Sequence, residues 1–126
     1  MHIVDDLTGD MVIGYGDNGE YTVTNIPTDK DYTALFIVYD SNRKTMFTIP
    51  KNTEMKDSVT FVFTPNDIEK LTVPKGEDTA DYFFDIKLKF GINYIEDTLI
   101  LGNKNMYAKN KLTVIAKGSE GEYING

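Results

Sequence analysis

Hydrophobic and polar positions alternate along most of this chain, and the alternation changes period once. In "DYFFDIKLKF", residues 81–90, Tyr82, Phe84, Ile86, Leu88 and Phe90 share one face and are all apolar. Phe83, Asp85, Lys87 and Lys89 share the other. Successive side chains of a strand point to opposite sides, so the segment predicts a strand with one buried and one wetted face. "EYTVTNI" from Glu20 sets Tyr21 and Val23 against Thr22 and Thr24. "YTALFIVYD" from Tyr32 is apolar on both faces, as a central or doubly covered strand is. "KTMFTI" at 44–49, "DTLIL" at 97–101 and "NKLTVIA" at 110–116 read as shorter strands, the last with Leu112 and Val114 on one side. Turn signals separate these runs. Asn18-Gly19 in "GDNGE" predicts a hairpin, because both residues tolerate positive φ. "DSNRK" at 40–44 and "FGINY" at 90–94 stand at hairpin distance between strands. A turn about every ten residues is the pattern of a sandwich or barrel.

The period breaks in "VTFVFTPNDIEKL", residues 59–71. Val59, Phe61 and Phe63 alternate, and then Ile68 and Leu71 sit three apart, as on one helical face. Thr64 can cap a helix, Pro65 suits its first position, and Asp67 stands where a capping box needs an acceptor. A chain that passes between stacked sheets must cross about 10 Å of core. A capped helical turn over 65–71 crosses it with its amides bonded, and Pro74 and Gly76 end the segment. Residues 65–76 are therefore expected to carry the chain from one sheet to the other, into strand 81–90. The fold class expected is all-β: a two-layer antiparallel sandwich of the immunoglobulin-like kind, with seven or eight strands.

Composition adds bounds. At 126 residues, one domain over 1–116 is expected, with 1–10 as an acidic arm and "KGSEGEYING" from Lys117 as a flexible tail. The N-terminus lacks the basic and apolar regions of a signal peptide, and no apolar run is long enough to span a bilayer. Synthesis in a bacterial cytoplasm is the expectation, with no membrane partner. Cysteine is absent, which removes disulfides, thiolate nucleophiles and cysteine metal sites. The net charge of −7 is concentrated: residues 1–29 hold Asp5, Asp6, Asp10, Asp17, Glu20 and Asp29 with no Lys or Arg. No basic stripe is present to meet phosphates, so nucleic acid is not an expected partner. Asp5, Asp6 and Asp10 are candidates for docking on a basic protein surface.

Candidate chemistry is sparse. His2 stands alone near the chain's start, away from any partner nucleophile in sequence. Asp85 and Asp97 fall on neighbouring expected strands, but Asp85 lies beside Lys87 and Lys89, where cross-strand ion pairing is the simpler role. Asp17 and Glu20 supply hard oxygens without the spaced acids of a calcium loop. No catalytic residue, cofactor or metal is expected, and no small-molecule ligand. Most of the aromatics alternate onto buried faces. Tyr15, Tyr94 and Tyr107 lie near turns and are candidates for a protein interface.

Gly16-Asp17, the run Phe61 to Asp67, Pro74 and Gly76, Tyr82 to Ile86, Thr98-Leu99 and Gly102 form an ordered set. That set resembles bacteriophage tail and baseplate accessory domains, in particular the N-terminal domain of baseplate upper proteins. "EDTAD" between Gly76 and Tyr82, Phe84 in place of a Tyr, and the insert "NKNMYAKN" depart from that pattern. The resemblance implies a non-catalytic virion adaptor, homo-oligomeric around a tail axis and bound to other tail proteins. Two other readings stand beside it. One is an immunoglobulin-like module that binds carbohydrate or a cell-surface protein, and the other is a small acidic inhibitor or immunity-type protein.

Overall fold

The computed structural model describes residues 2–4, 9–91, 93–96 and 110–117. In chain order the elements are β1 (His2–Val4), β2 (Met11–Gly14), β3 (Gly19–Val23), β4 (Thr33–Tyr39), β5 (Thr45–Asn52) and β6 (Val59–Phe63). They continue with α1 (Pro65–Glu69), β7 (Thr79–Phe90), β8 (Asn93–Glu96) and β9 (Asn110–Ile115). One layer is the antiparallel pair β3·β6. The other is a sheet in the order β1-β2-β9-β7-β4-β5, with β8 also paired to β7. The second strand from the start, β2, runs parallel to the last, β9. A two-strand layer thus faces a seven-stranded sheet, the two-layer arrangement of a β-sandwich.

The alternation places the core. Tyr82, Phe84, Ile86 and Leu88 of β7 are all buried, as are Ala34, Phe36 and Val38 of β4. Across the gap, Tyr21 and Val23 of β3 and Val59, Phe61 and Phe63 of β6 close on them. Phe36 is the hub: its ring lies 4.8 Å from Phe84, 5.0 Å from Phe63, 5.4 Å from Phe61 and 5.6 Å from Tyr21. The Tyr21 hydroxyl, carried into this apolar layer, donates to the Gly9 carbonyl at 2.8 Å, so its burial does not leave a donor unmade.

The helical crossover forms as the sequence predicts. β6 belongs to the small layer and β7 to the large one. Thr64 caps α1: its Oγ1 accepts from the Asp67 N–H at 3.2 Å, while the Thr64 N–H donates to Asp67 Oδ2 at 3.0 Å. The helix ends at Glu69, and Leu71 beyond it is as fully buried as Ile68.

Several expectations change. Asn18-Gly19 does not close a hairpin, because β2 and β3 lie in different layers. The turn there is made at Gly16, with φ +74°, and Gly19 opens β3. Gly19 has its own reason to lack a side chain, since a Cβ would meet the His2 ring at 2.7 Å. Part of the supposed acidic arm is structure: His2–Val4 pairs with β2, which makes β1 and β2 two strands that the periodicity did not show. Phe90, expected in the core, is 44% exposed, because β4 begins at Thr33 opposite Lys89 and the ladder stops short of it. Asp85 accepts a hydrogen bond from the Tyr39 hydroxyl across the sheet at 3.2 Å. The expected strand at 97–101 lies outside the described residues, as do Asp97 and the tail beyond Lys117.

Candidate functional site

The strand directions gather the β3–β4 loop (24–32), the β5–β6 loop (53–58) and the β7–β8 turn at one end of the sandwich. The β5–β6 loop contains a tight turn, closed by the Lys56 N–H on the Thr53 carbonyl at 3.0 Å. Its two central residues, Glu54 and Met55, have φ of +55° and +58°. Positive φ at both central positions is the type I′ arrangement, which Asn-Gly adopts readily and most L residues resist. For a residue with a Cβ the left-handed region costs roughly 1–2 kcal/mol.

Surrounding bonds hold this turn in place. Thr53, 1% exposed, donates its N–H to the Tyr32 carbonyl at 2.9 Å and accepts the Tyr32 N–H on Oγ1 at 3.1 Å. The Glu54 N–H is shared between Asn52 Oδ1 at 2.7 Å and Asp31 Oδ1 at 3.0 Å. The Ile26 N–H donates to the Asp57 carbonyl at 3.0 Å, next to Asn25, which also has positive φ. Tyr32 donates its hydroxyl to Asp29 at 2.8 Å, and that bond raises its phenol pKa above the ordinary value.

Two apolar side chains stand out at this end. Met55 is 55% exposed at the tip of the strained turn, and Phe90 is exposed at the end of β7. The Phe90 ring has Tyr32 at its edge, 6.0 Å between centroids, and the Lys30 ammonium over its face at 5.0 Å. The Lys56–Glu54 ion pair at 3.4 Å joins well-exposed groups, so it adds little to stability. The arrangement presents a thioether and an aromatic ring on a backbone fixed by hydrogen bonds.

Of the site residues expected from sequence, Asp10 and Tyr15 are described, and they flank opposite ends of β2. Asp10 Oδ1 accepts the Lys111 N–H at 2.9 Å at the start of the β2·β9 ladder, so this acid is tied to the fold. Tyr15, at the far end of β2, is half-buried against the core and donates its hydroxyl to the Glu69 carbonyl at 3.4 Å. Asp5, Asp6, Tyr107 and the Tyr94 side chain lie outside the described residues. Among the described residues no three His, Cys, Asp or Glu are grouped to hold a metal, Asp17 and Glu20 included, and no helix is long and apolar enough to cross a membrane. Met55 and Phe90 were missed because one sits in a polar loop and the other ends an alternating strand. The usable signal was an isolated Met inside "KNTEMKDS".

No family model and no curated protein matches this chain. Among solved structures it is similar to the periplasmic chaperone SfaE, at 11% identity and a TM-score of 0.48 over 85% of this chain and 54% of that one. The chain thus spans about half the length of that chaperone, and the likeness concerns the fold alone. The expectation of a phage tail or baseplate adaptor is corrected: the solved structure named above is a periplasmic chaperone, and no family model or curated protein supports a tail or baseplate assignment. The homo-oligomer around a tail axis, which rested on that resemblance, loses its basis with it.

Proposed function

We propose that this domain is a non-catalytic binding module that grips a protein partner through its loop end, with Met55 and Phe90 as the apolar contacts. The turn at Glu54–Met55 carries the reading. Two residues with side chains occupy positions suited to Asn-Gly, and the second projects an exposed Met. Backbone strain of this kind persists where surrounding bonds over-determine it, and it gathers at ligand-contacting places. Met and aromatic side chains are enriched where proteins meet. The strand partition gives support by analogy of fold: the β3–β4 loop and the turn after β7 correspond to loops that variable immunoglobulin domains use for recognition. A protein is favoured over a glycan because Lys30 covers one face of the Phe90 ring that a sugar would stack on.

The test is selection of binders from a displayed random-peptide library on the intact chain, followed by affinity measurement on Met55→Ala, Phe90→Ala and the double variant. Truncating a true anchor costs at least tenfold in affinity, so most selected peptides lose that much on the double variant while its unfolding midpoint stays close to that of the parent. Peptides that bind the double variant equally well, or hits on a glycan array with none in the peptide selection, overturn the proposal.

A further inference from the structure

His2 plays no part in the loop end, and its surroundings are unusual. Its ring lies on the Gly19 backbone so closely that a Cβ there would meet Cδ2 at 2.7 Å, Cγ at 2.8 Å and Nε2 at 3.1 Å. The Phe63 ring closes the other side at 6.5 Å between centroids. Nε2 is buried and has no hydrogen-bond partner. The strand it anchors has three residues and, among the described residues, pairs with β2 alone, in the register His2↔Ile13, Ile3↔Val12 and Val4↔Met11.

We propose that β1 is a pH-sensitive latch: uncharged His2 seals the strand to the Gly19 backbone, and protonation of the imidazole releases residues 2–4 from β2. A neutral imidazole can keep its proton on Nδ1 and leave Nε2 bare. The imidazolium must carry a proton on both nitrogens, and a charged N–H at Nε2 would be buried without an acceptor. The groups facing the ring do not remove that penalty. Ile13 of β2, its register partner, and Phe63 of β6 are apolar. Among the described residues, the Glu20 carboxylate of β3 favours the charged form. Burial is the largest influence and lowers the His2 pKa from its ordinary 6.5. Beyond its three-residue ladder, the strand is held by Val4 against the core, while Ile3 is exposed. Its release uncovers the outer edge of β2, whose other side is paired with β9, and an uncovered edge is a template for strand addition.

The latch is tested on the intact chain by following the imidazole resonances and the amide exchange of β1 and β2 between about pH 7.5 and about pH 5. Linkage sets the expected size: each unit by which the imidazole titrates below 6.5 opens the strand about tenfold more on full protonation. Protection of the β1 amides should fall by that factor while β4 and β7 keep theirs. His2→Phe should make β1 protection independent of pH, and Gly19→Ala should leave β1 unprotected at both ends of the range. An imidazole titrating at or above 6.5 overturns the proposal, as does β1 protection that ignores its titration. The wild-type titration stands even if neither variant folds. A pH-dependent loss that persists in His2→Phe also overturns it.

Discussion

Replacing Glu54-Met55 with Asn-Gly should make this protein more stable and a poorer binder. Met55 sits at φ +58°, where a side chain costs roughly 1–2 kcal/mol and glycine pays no such penalty. Glycine also gives the unfolded chain more freedom, which takes back about 0.5–1 kcal/mol. Asn at φ +55° is better tolerated than Glu, a gain of a few tenths of a kcal/mol. Losing the exposed Lys56–Glu54 pair removes about as much. The bonds that fix the turn use the backbone of residue 54 and the side chains of Asn52, Thr53 and Asp31, all unchanged. The net gain is about 1 kcal/mol. In urea, with a slope of about 1–2 kcal/mol/M for a domain of this size, the midpoint should rise by roughly 0.5–1 M at unchanged slope. Met55→Ala is the control, because it keeps the left-handed residue and should leave the midpoint nearly where it was. An Asn-Gly variant that unfolds at the parental midpoint or earlier would show that Glu54 and Met55 are not strained, and the main support for the loop end as a binding site would go with it.

Gly76 supplies the mirror case: at φ +90° with open space around it, Gly76→Ala should destabilise by about 1–2 kcal/mol through backbone conformation alone, read as a lower urea midpoint. Phe36→Ala should cost about 3–5 kcal/mol and sharply lower the thermal midpoint, since it empties the hub of the ring cluster. Thr64→Ala should cost about 1 kcal/mol in the same assay by opening the capping box of α1. Burial and the neighbouring Asp85 push the Tyr39 phenol up to about 12 from 10.0. A phenol that holds its proton more tightly when folded stabilises below the unfolded value, so stability should decline as pH rises from 10.0 towards about 12. Tyr39→Phe should flatten that decline in unfolding curves taken across the interval.

Much of the fold was legible because it follows from side-chain alternation, which any half-buried strand must show. The alternating faces of β3, β6 and β7 name their buried residues correctly up to Leu88. The doubly apolar run from Tyr32 forms a strand with partners on both sides, β5 and β7. The helical turn after β6 was legible for another reason: Thr64, Pro65 and Asp67 act on the nearest backbone, so their meaning does not depend on the rest of the molecule. Phe90 shows the limit of periodicity. Alternation tells which way a side chain points, but whether anything lies opposite depends on where other strands begin. β1 and β2 were illegible for a related reason, since short segments closed by distant partners leave too few positions to show a period.

The site was hidden by two glycine-type signals that point the wrong way. Asn18-Gly19 has the composition of a type I′ turn, and the chain makes none there. Glu54-Met55 makes the type I′ geometry without Asn or Gly. Glycine serves two needs, left-handed backbone and close approach, and sequence alone does not separate them. At Gly19 the need is approach, because an imidazole occupies the space a Cβ would take. At 54–55 the backbone need is present, and the residues that would meet it cheaply are absent. Turn propensity predicts the conformation a dipeptide prefers, so it fails where tertiary bonds from Asp31, Asn52 and Tyr32 impose a conformation that Glu and Met resist. A mismatch between turn chemistry and turn geometry is therefore itself a signal, and here it marks the end of the sandwich that carries Met55 and Phe90.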